Sequence, residues 1–297
     1  MHILLTGGTG LIGSALVKHW LNQHKLIVLT RNPAQAQQQL GPEVRTVQSL
    51  QQVDFNQIDA VINLAGEPIV GKRWSDAQKQ LLCDSRWAIT EQVVGAINAA
   101  STPPSVLISG SAIGIYGRQQ QQFIDEDYQP FHAEFSSELC QRWEQLALAA
   151  QSANTRVCLL RTGIVLANEG GALKKMLLPF KLGLGGRIGN GEQYMSWVHL
   201  QDMLRLTDFL LQHPTLTGPF NATAPNPVTN AEFSQQLAKV LHRPAILPMP
   251  AFVLKLMLGE MADLLLTGQR VIPAKLQHAG FAFKYSQLSD ALKALQG

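Results

Sequence analysis

The feature that most constrains this chain is the run His2-Ile-Leu-Leu-Thr6 followed directly by Gly7-Gly8-Thr9-Gly10-Leu11-Ile12-Gly13. Five mostly apolar residues have the length of a strand. The apolar residues beyond the glycines (Leu11, Ile12, Ala15, Leu16, Trp20) recur at helical spacing. Strand, glycine turn and helix in that order present free backbone N–H groups at a helix N-terminus, where a pyrophosphate binds. The glycines allow the tight turn, the close approach of backbone to phosphate and the packing of helix on strand. A glycine-rich turn alone is a weak signal; the flanking strand and helix supply the context a dinucleotide site requires. The spacing Gly7-x-x-Gly10-x-x-Gly13 is one residue longer at the front than the commonest form.

The second apolar run, Leu26 to Thr30, ends in Thr30-Arg31-Asn32-Pro33. An NAD site calls for a carboxylate here to accept from the ribose 2′-hydroxyl. Arg31 offers a guanidinium instead, which suits a 2′-phosphate, so NADP is expected in preference to NAD. Further strands are expected at 44–47, 59–64, 105–109 and 156–161, the last continuing through Thr162-Gly163-Ile164-Val165. Helical patterns fall at about 75–100, around Phe135 to Glu144, from about Leu204, at 230–241 with Asn230 as N-cap, and at 288–295. Strands alternating with helices predict a Rossmann-type doubly wound parallel α/β sheet. The length of 297 residues accommodates such a core with a smaller, mostly helical substrate-side region. The expected division is 1–165 and 166–297, with a strand and helix from about 195–225 returning to the core and a C-terminal region from about 245.

Composition narrows the function classes. Hydrophobic residues at 46% against 15% charged imply a substantial core, and a net charge of +3 without a basic cluster argues against nucleic acid. Cys83, Cys140 and Cys158 lack metal-ligand spacing and suit a reducing cytoplasm. The first strand begins at residue 2 with no basic-then-apolar leader before it, so no signal peptide is expected. Lys255, Glu260 and Asp263 interrupt the apolar stretch 251–266, so no membrane span is expected. His199 and Asp202 have no third ligand nearby and read as positioning residues at the mouth of a cleft rather than as a metal site. The glutamine patches at 35–39 and 119–122 read as surface padding.

The glycine spacing and the segment Ser111-Ala-Ile-Gly-Ile-Tyr116-Gly resemble the extended short-chain dehydrogenase/reductase superfamily, which includes sugar-nucleotide epimerases and dehydratases. The chain looks most like its atypical YfcH-like branch. The shared motifs are Asn63-Leu-Ala-Gly-Glu-Pro, Lys72-Arg-Trp, Asp84-Ser-Arg86, Leu182-Gly-Leu-Gly-Gly, Ser196-Trp-x-His, Arg243-Pro-Ala-Ile-Leu-Pro and Gly280-Phe-x-Phe, spread over essentially the full length. The resemblance implies that Leu64 and Ala65 lie along the adenosine and ribose, that Gly163 and Val165 lie beside the nicotinamide, and that Ser111 hydrogen-bonds the reacting oxygen. It also places Arg86 near the cofactor, against the alternative of an ordinary helix charge. Ser196, Trp197 and His199, with Glu67, fall on the substrate side.

One departure stands out. The superfamily's acid/base is a tyrosine followed four residues later by lysine. Tyr116, Tyr128, Tyr194 and Tyr285 are followed at that distance by Gln120, His132, Val198 and Ser289. Aligned on Glu144, Ser136 and Cys140 stand in place of the pair. Tyr116, Cys140, Glu67 or a water held by Ser111 are the candidates to carry the proton. Two readings stay open: an NADP-dependent epimerase/dehydratase-like oxidoreductase with altered acid/base groups, and a non-catalytic NADP-binding sensor or interaction protein. The partner is a small molecule of unspecified identity, and a homodimer is left open.

Overall fold

The structure is a computed structural model and describes residues 1–119 and 121–296. Gln120, which follows Tyr116 by four positions and belongs to the second glutamine patch, lies outside the described residues.

Seven strands form one sheet: β1 (His2–Thr6), β2 (Lys25–Leu29), β3 (Arg45–Val47), β4 (Ala60–Asn63), β5 (Val106–Ala112), β6 (Arg156–Thr162) and β7 (Gly218–Ala222). Their spatial order is β3-β2-β1-β4-β5-β6-β7 and every pairing is parallel. The expected doubly wound sheet is therefore the fold. A parallel sheet buries both faces, and the strands accordingly read as continuous apolar runs. On one face α1 (Leu11–Trp20) and α6 (Leu200–Gln212) pack with Leu16, Trp20, Leu206 and Leu210 against Ile3, Leu5 and Ile62. On the other, α3 (Asp76–Ala99) and α4 (Phe135–Leu148) cover Leu4, Val61 and Leu107 with Val93, Ile97 and Ala147. The strand order reverses between β1 and β4, and the crevice at their carboxyl ends is where ligands bind in such sheets.

Several local choices depart from the sequence expectations. The first glutamine patch is a helix, α2 (Pro33–Leu40): Asn32 caps it and Pro33 starts it. Gln39 donates from Nε2 to the carbonyl of Thr9 in the glycine turn. The strand through 156–161 does not run on to Val165. It breaks at Gly163, where a Cβ would sit 2.4 Å from the Ser196 carbonyl, and 164–166 pairs separately with Trp197–His199. α7 (Asn230–Leu241) is capped by Thr229 in a reciprocal capping box with Glu232, not by Asn230, whose buried side chain instead accepts from the Ile188 N–H. A second apolar cluster lies outside the sheet. It joins α5 (Gly171–Lys181), α7 and the helix Leu288–Ala294 through Leu173, Phe180, Phe233, Leu237 and Leu292. No helix among the described residues is long and apolar enough to cross a membrane.

Candidate functional site at the β1/β4 crevice

The glycine turn between β1 and α1 shows which glycines the protein itself requires. Gly7 has φ +68°, and a Cβ there would lie 2.5 Å from the Leu64 carbonyl. A Cβ on Gly13 would sit 2.3 Å from the Gly7 carbonyl, so helix and turn meet there backbone to backbone. Gly10 differs. A Cβ would meet only the Gly7 carbonyl, at 3.3 Å, and the residue is exposed. Packing among the described residues leaves Gly10 unexplained, and the open space over it could admit a phosphate group. The start of α1 agrees: it has no side-chain cap and no acidic residue in its first turn. The N–H groups of Leu11, Ile12 and Gly13 find no acceptor among the described residues. An uncapped helix start without a carboxylate could hold an anion.

Arg31 stands at the carboxyl end of β2, beyond Thr30. It is exposed and in no ion pair among the described residues. The opposite wall is 64–67, which leaves β4 held by two contacts to β1: Leu64 N–H to the Thr6 carbonyl and Ala65 N–H to Thr6 Oγ1. Beneath it a buried network is fully satisfied. Thr6 donates to Asn63 Oδ1, Asn63 Nδ2 donates to Thr90 and Ser109, and Trp143 Nε1 donates to Thr90 Oγ1, which itself donates to the Arg86 carbonyl. Arg86 is buried and braces the same wall. Its guanidinium donates to the carbonyls of Glu67 (2.9 Å) and Leu82 (2.9 Å) and packs over Trp143. A Cβ on Gly66 would be 3.1 Å from Arg86 Cζ, so the cation lies directly behind the wall. Gly170 and Gly171, at the start of α5, approach the Leu11 side chain, which brings the segment after Val165 to the turn.

The candidate acid/base residues are placed differently. Tyr116 is fully buried; its hydroxyl donates to Asn221 Oδ1 (2.7 Å) and accepts from Arg161 Nη1 (3.0 Å). Burial pushes its pKa up to about 12 although Arg161 opposes the shift. Cys140 is likewise buried, and burial, helped by the charge of Glu144, pushes its thiol up to about 12. Burial thus disfavours the ionised form of both groups. Ser136 is buried and donates to Glu134. Ser111 donates to Glu144 Oε1 at 2.7 Å. That carboxylate is also gripped by Arg161, Nε to Oε1 at 2.8 Å and Nη2 to Oε2 at 2.9 Å. Burial alone would weaken the Arg161 proton, but the hydrogen bonds and charge of Glu144 more than offset it and the net shift is upward. Ser111 is thus the third partner of a bidentate ion pair.

Glu67 is the exception. Its carboxylate lies at the crevice wall, 19% exposed, paired with the exposed Lys72 at 3.0 Å.

Three residues expected on the substrate side belong to the frame instead. Trp197 is fully buried in the second apolar cluster, with Nε1 bonded to the Asn226 carbonyl. Ser196 donates to the Gln269 carbonyl and accepts from the Val271 N–H, stitching in the C-terminal region. His199 is buried, stacks 4.1 Å from Tyr285 and accepts from the Gln201 N–H through Nδ1 as the cap of α6. Burial lowers its pKa, as an accepting nitrogen requires. Asp202 is fully buried and accepts from the N–H groups of Lys284 and Tyr285, so it clamps the C-terminal chain rather than a cleft mouth. Sequence reasoning missed the Glu144–Arg161 pair. Its signal was an arginine ending the strand Val157-Cys-Leu-Leu160, since a charge there has to be partnered.

Comparison with known proteins bears out the fold and identifies the family. Residues 3–222 match the model of the NAD dependent epimerase/dehydratase family, and residues 249–295 match a domain of unknown function, DUF1731. The chain is 42% identical to epimerase family protein ML0860 of Mycobacterium leprae over 98% of this chain and 94% of that one. It is 40% identical to the chloroplastic epimerase family protein SDR39U1 homolog of Arabidopsis thaliana, over 99% and 86%. Among solved structures, human epimerase family protein SDR39U1 with NADPH superposes with TM-score 0.92 at 34% identity, covering 99% of both chains. A UDP-glucuronic acid 4-epimerase from Bacillus cereus superposes at 0.78 and 19% identity, over 99% and 97%, a likeness of fold alone.

Proposed function

Because the chain belongs to the NAD dependent epimerase/dehydratase family, we propose that it is an NADP-dependent oxidoreductase or epimerase whose proton is handled outside the usual tyrosine and lysine. The observation that carries the reading is the uncapped start of α1 with an open Gly10 facing the β1/β4 crevice. Arg31 supports NADP over NAD, and the NADPH in the human relative's structure supports it from outside the chain. When bound, the nicotinamide supplies hydride transfer. The chain's own part is to seat the pyrophosphate on the N–H groups of Leu11, Ile12 and Gly13, to lay Leu64 and Ala65 along the ribose, and to set Gly163 and Val165 near the ring. Residues 1–165, with the strand and helix from about 195–225, form the cofactor part and the rest of 166–297 the substrate side, in a cytoplasmic protein whose three cysteines are free thiols.

With Tyr116 and Cys140 held protonated by burial, Glu67 is left as the acid/base. Its carboxylate takes the proton of a substrate hydroxyl, with Lys72 3.0 Å away on the same wall. Proton transfer of this kind is worth about 10²–10⁴-fold in rate. Glu67→Gln is therefore expected to lower turnover by that factor with NADPH affinity unchanged. The assay mixes purified protein and NADPH with nucleotide sugars and small carbonyl compounds, following nicotinamide absorbance and products. Turnover surviving in Glu67→Gln removes Glu67 from the role. The burial of every tyrosine and cysteine candidate favours a second reading, a non-catalytic NADP-binding sensor. Firm NADPH binding without turnover across the panel would select it.

A further inference from the structure

The exposed large apolar side chains are concentrated in one place. Of thirteen on the described surface, nine fall between residues 178 and 257, among them Leu178, Leu182, Leu184, Ile246, Phe252 and Leu256. Ile246, Phe252 and Leu256 are more than 70% exposed. Two segments carry them, and the backbone joins them into one surface. The Leu247 N–H donates to the Gly185 carbonyl, Met249 N–H to Arg187, and Gly189 N–H to Met249. Arg243 Nε reaches the Lys181 carbonyl at the end of α5. The helix α8 (Ala251–Leu258) continues directly from this ladder. Gly186 serves this packing: a Cβ there would meet the Leu247 carbonyl at 2.1 Å.

The charge of the same two segments is one-sided. Residues 171–187 and 239–258 contain seven Lys and Arg and no Asp or Glu. None of the seven forms an ion pair among the described residues. The acids just beyond α8 are engaged elsewhere, Glu260 with Lys79 and Asp263 with Arg118. Apolar patches of this kind mark an interaction surface. An isologous second copy would bring a cationic face against itself with no carboxylate on either side. Exposed Leu, Phe and Ile beside Lys and Arg match the interface of an anionic lipid layer, where acyl chains take the apolar groups and headgroups the cations.

We infer that the face formed by the end of α5, residues 182–187, residues 243–250 and α8 seats the protein on an anionic membrane surface. Binding is peripheral, with Phe252 and Leu256 entering the headgroup boundary.

The test is co-sedimentation of the full chain with vesicles of phosphatidylcholine alone and of phosphatidylcholine with phosphatidylglycerol. Binding is expected only to the anionic vesicles, and it falls as salt rises. Each cation near such a surface is worth about fivefold in partitioning, so Lys181→Gln, Arg187→Gln and Lys255→Gln together should cost about a hundredfold. Phe252→Ser with Leu256→Ser should abolish binding. Unchanged thermal unfolding and NADPH affinity in these variants keep loss of fold apart from loss of the surface. Failure of the folded wild-type chain to bind anionic vesicles overturns the inference, as does equal binding to neutral ones. A wild-type dimer in sedimentation equilibrium that Phe252→Ser with Leu256→Ser dissociates, without any vesicle binding, would assign the face to a second copy instead.

Discussion

The β1/β4 crevice and the buried cluster around Glu144 are both polar, and they treat their polar groups in opposite ways. At the crevice the first N–H groups of α1 and the Arg31 guanidinium have no partners among the described residues, and the space over Gly10 is open. Around Glu144 the groups are spent on one another: Ser111 and Arg161 on the carboxylate, Tyr116 on Arg161 and Asn221. Unpartnered groups on a rigid sheet edge are free to hold a ligand. Groups already paired and stripped of water instead fix the positions of β5, β6, β7 and α4. The polar groups around Glu144 hold the framework together, and the open ones lie at the glycine turn.

The largest effect expected is on the framework side. Glu144→Ala leaves the Arg161 charge buried without its partner, which costs about 3–5 kcal/mol, read by chemical denaturation. A loss near that of a surface ion pair would erase the contrast between the two regions. On the crevice side, Gly10→Val places a side chain where the pyrophosphate comes in. It should weaken NADP and NAD alike by about a hundredfold or more, the scale of a steric insertion into a packed contact. Calorimetry on the folded variant decides, and unchanged affinity would mean that the turn serves another purpose. Arg31→Ala removes a charge-assisted contact worth about 1.5–3 kcal/mol, so NADP affinity drops while NAD affinity barely moves; equal losses would falsify the 2′-phosphate assignment.

The smallest effect sharpens the framework side. Burial raises the folded pKa of Tyr116 from its ordinary 10.0 to about 12. The folded state therefore holds the proton more tightly than the unfolded chain. The stability linked to that proton is complete below pH 10 and is lost as pH rises from 10 towards 12. Tyr116→Phe should cost about 1 kcal/mol at neutral pH through its lost hydrogen bond and show a flatter decline of stability over that alkaline window. An unchanged slope would mean that the phenol ionises freely.

The sequence by itself determined the parallel sheet, the glycine turn and the arginine beyond β2. Each is written in neighbouring residues: apolar runs of strand length, helical periodicity, and glycines where backbone meets backbone. Tertiary structure alone decided what the remaining polar residues do. Ser111 finds Glu144 33 positions away, Tyr116 finds Asn221 105 away, and Asp202 finds Tyr285 83 away. In sequence Trp197 and His199 had the composition of a cleft; in the fold a second apolar cluster and the ring of Tyr285 enclose them. A side chain's proton affinity and reach depend on burial and on partners from distant segments. Local spacing sets the backbone that carries those groups, and only packing decides which of them remain open to a ligand.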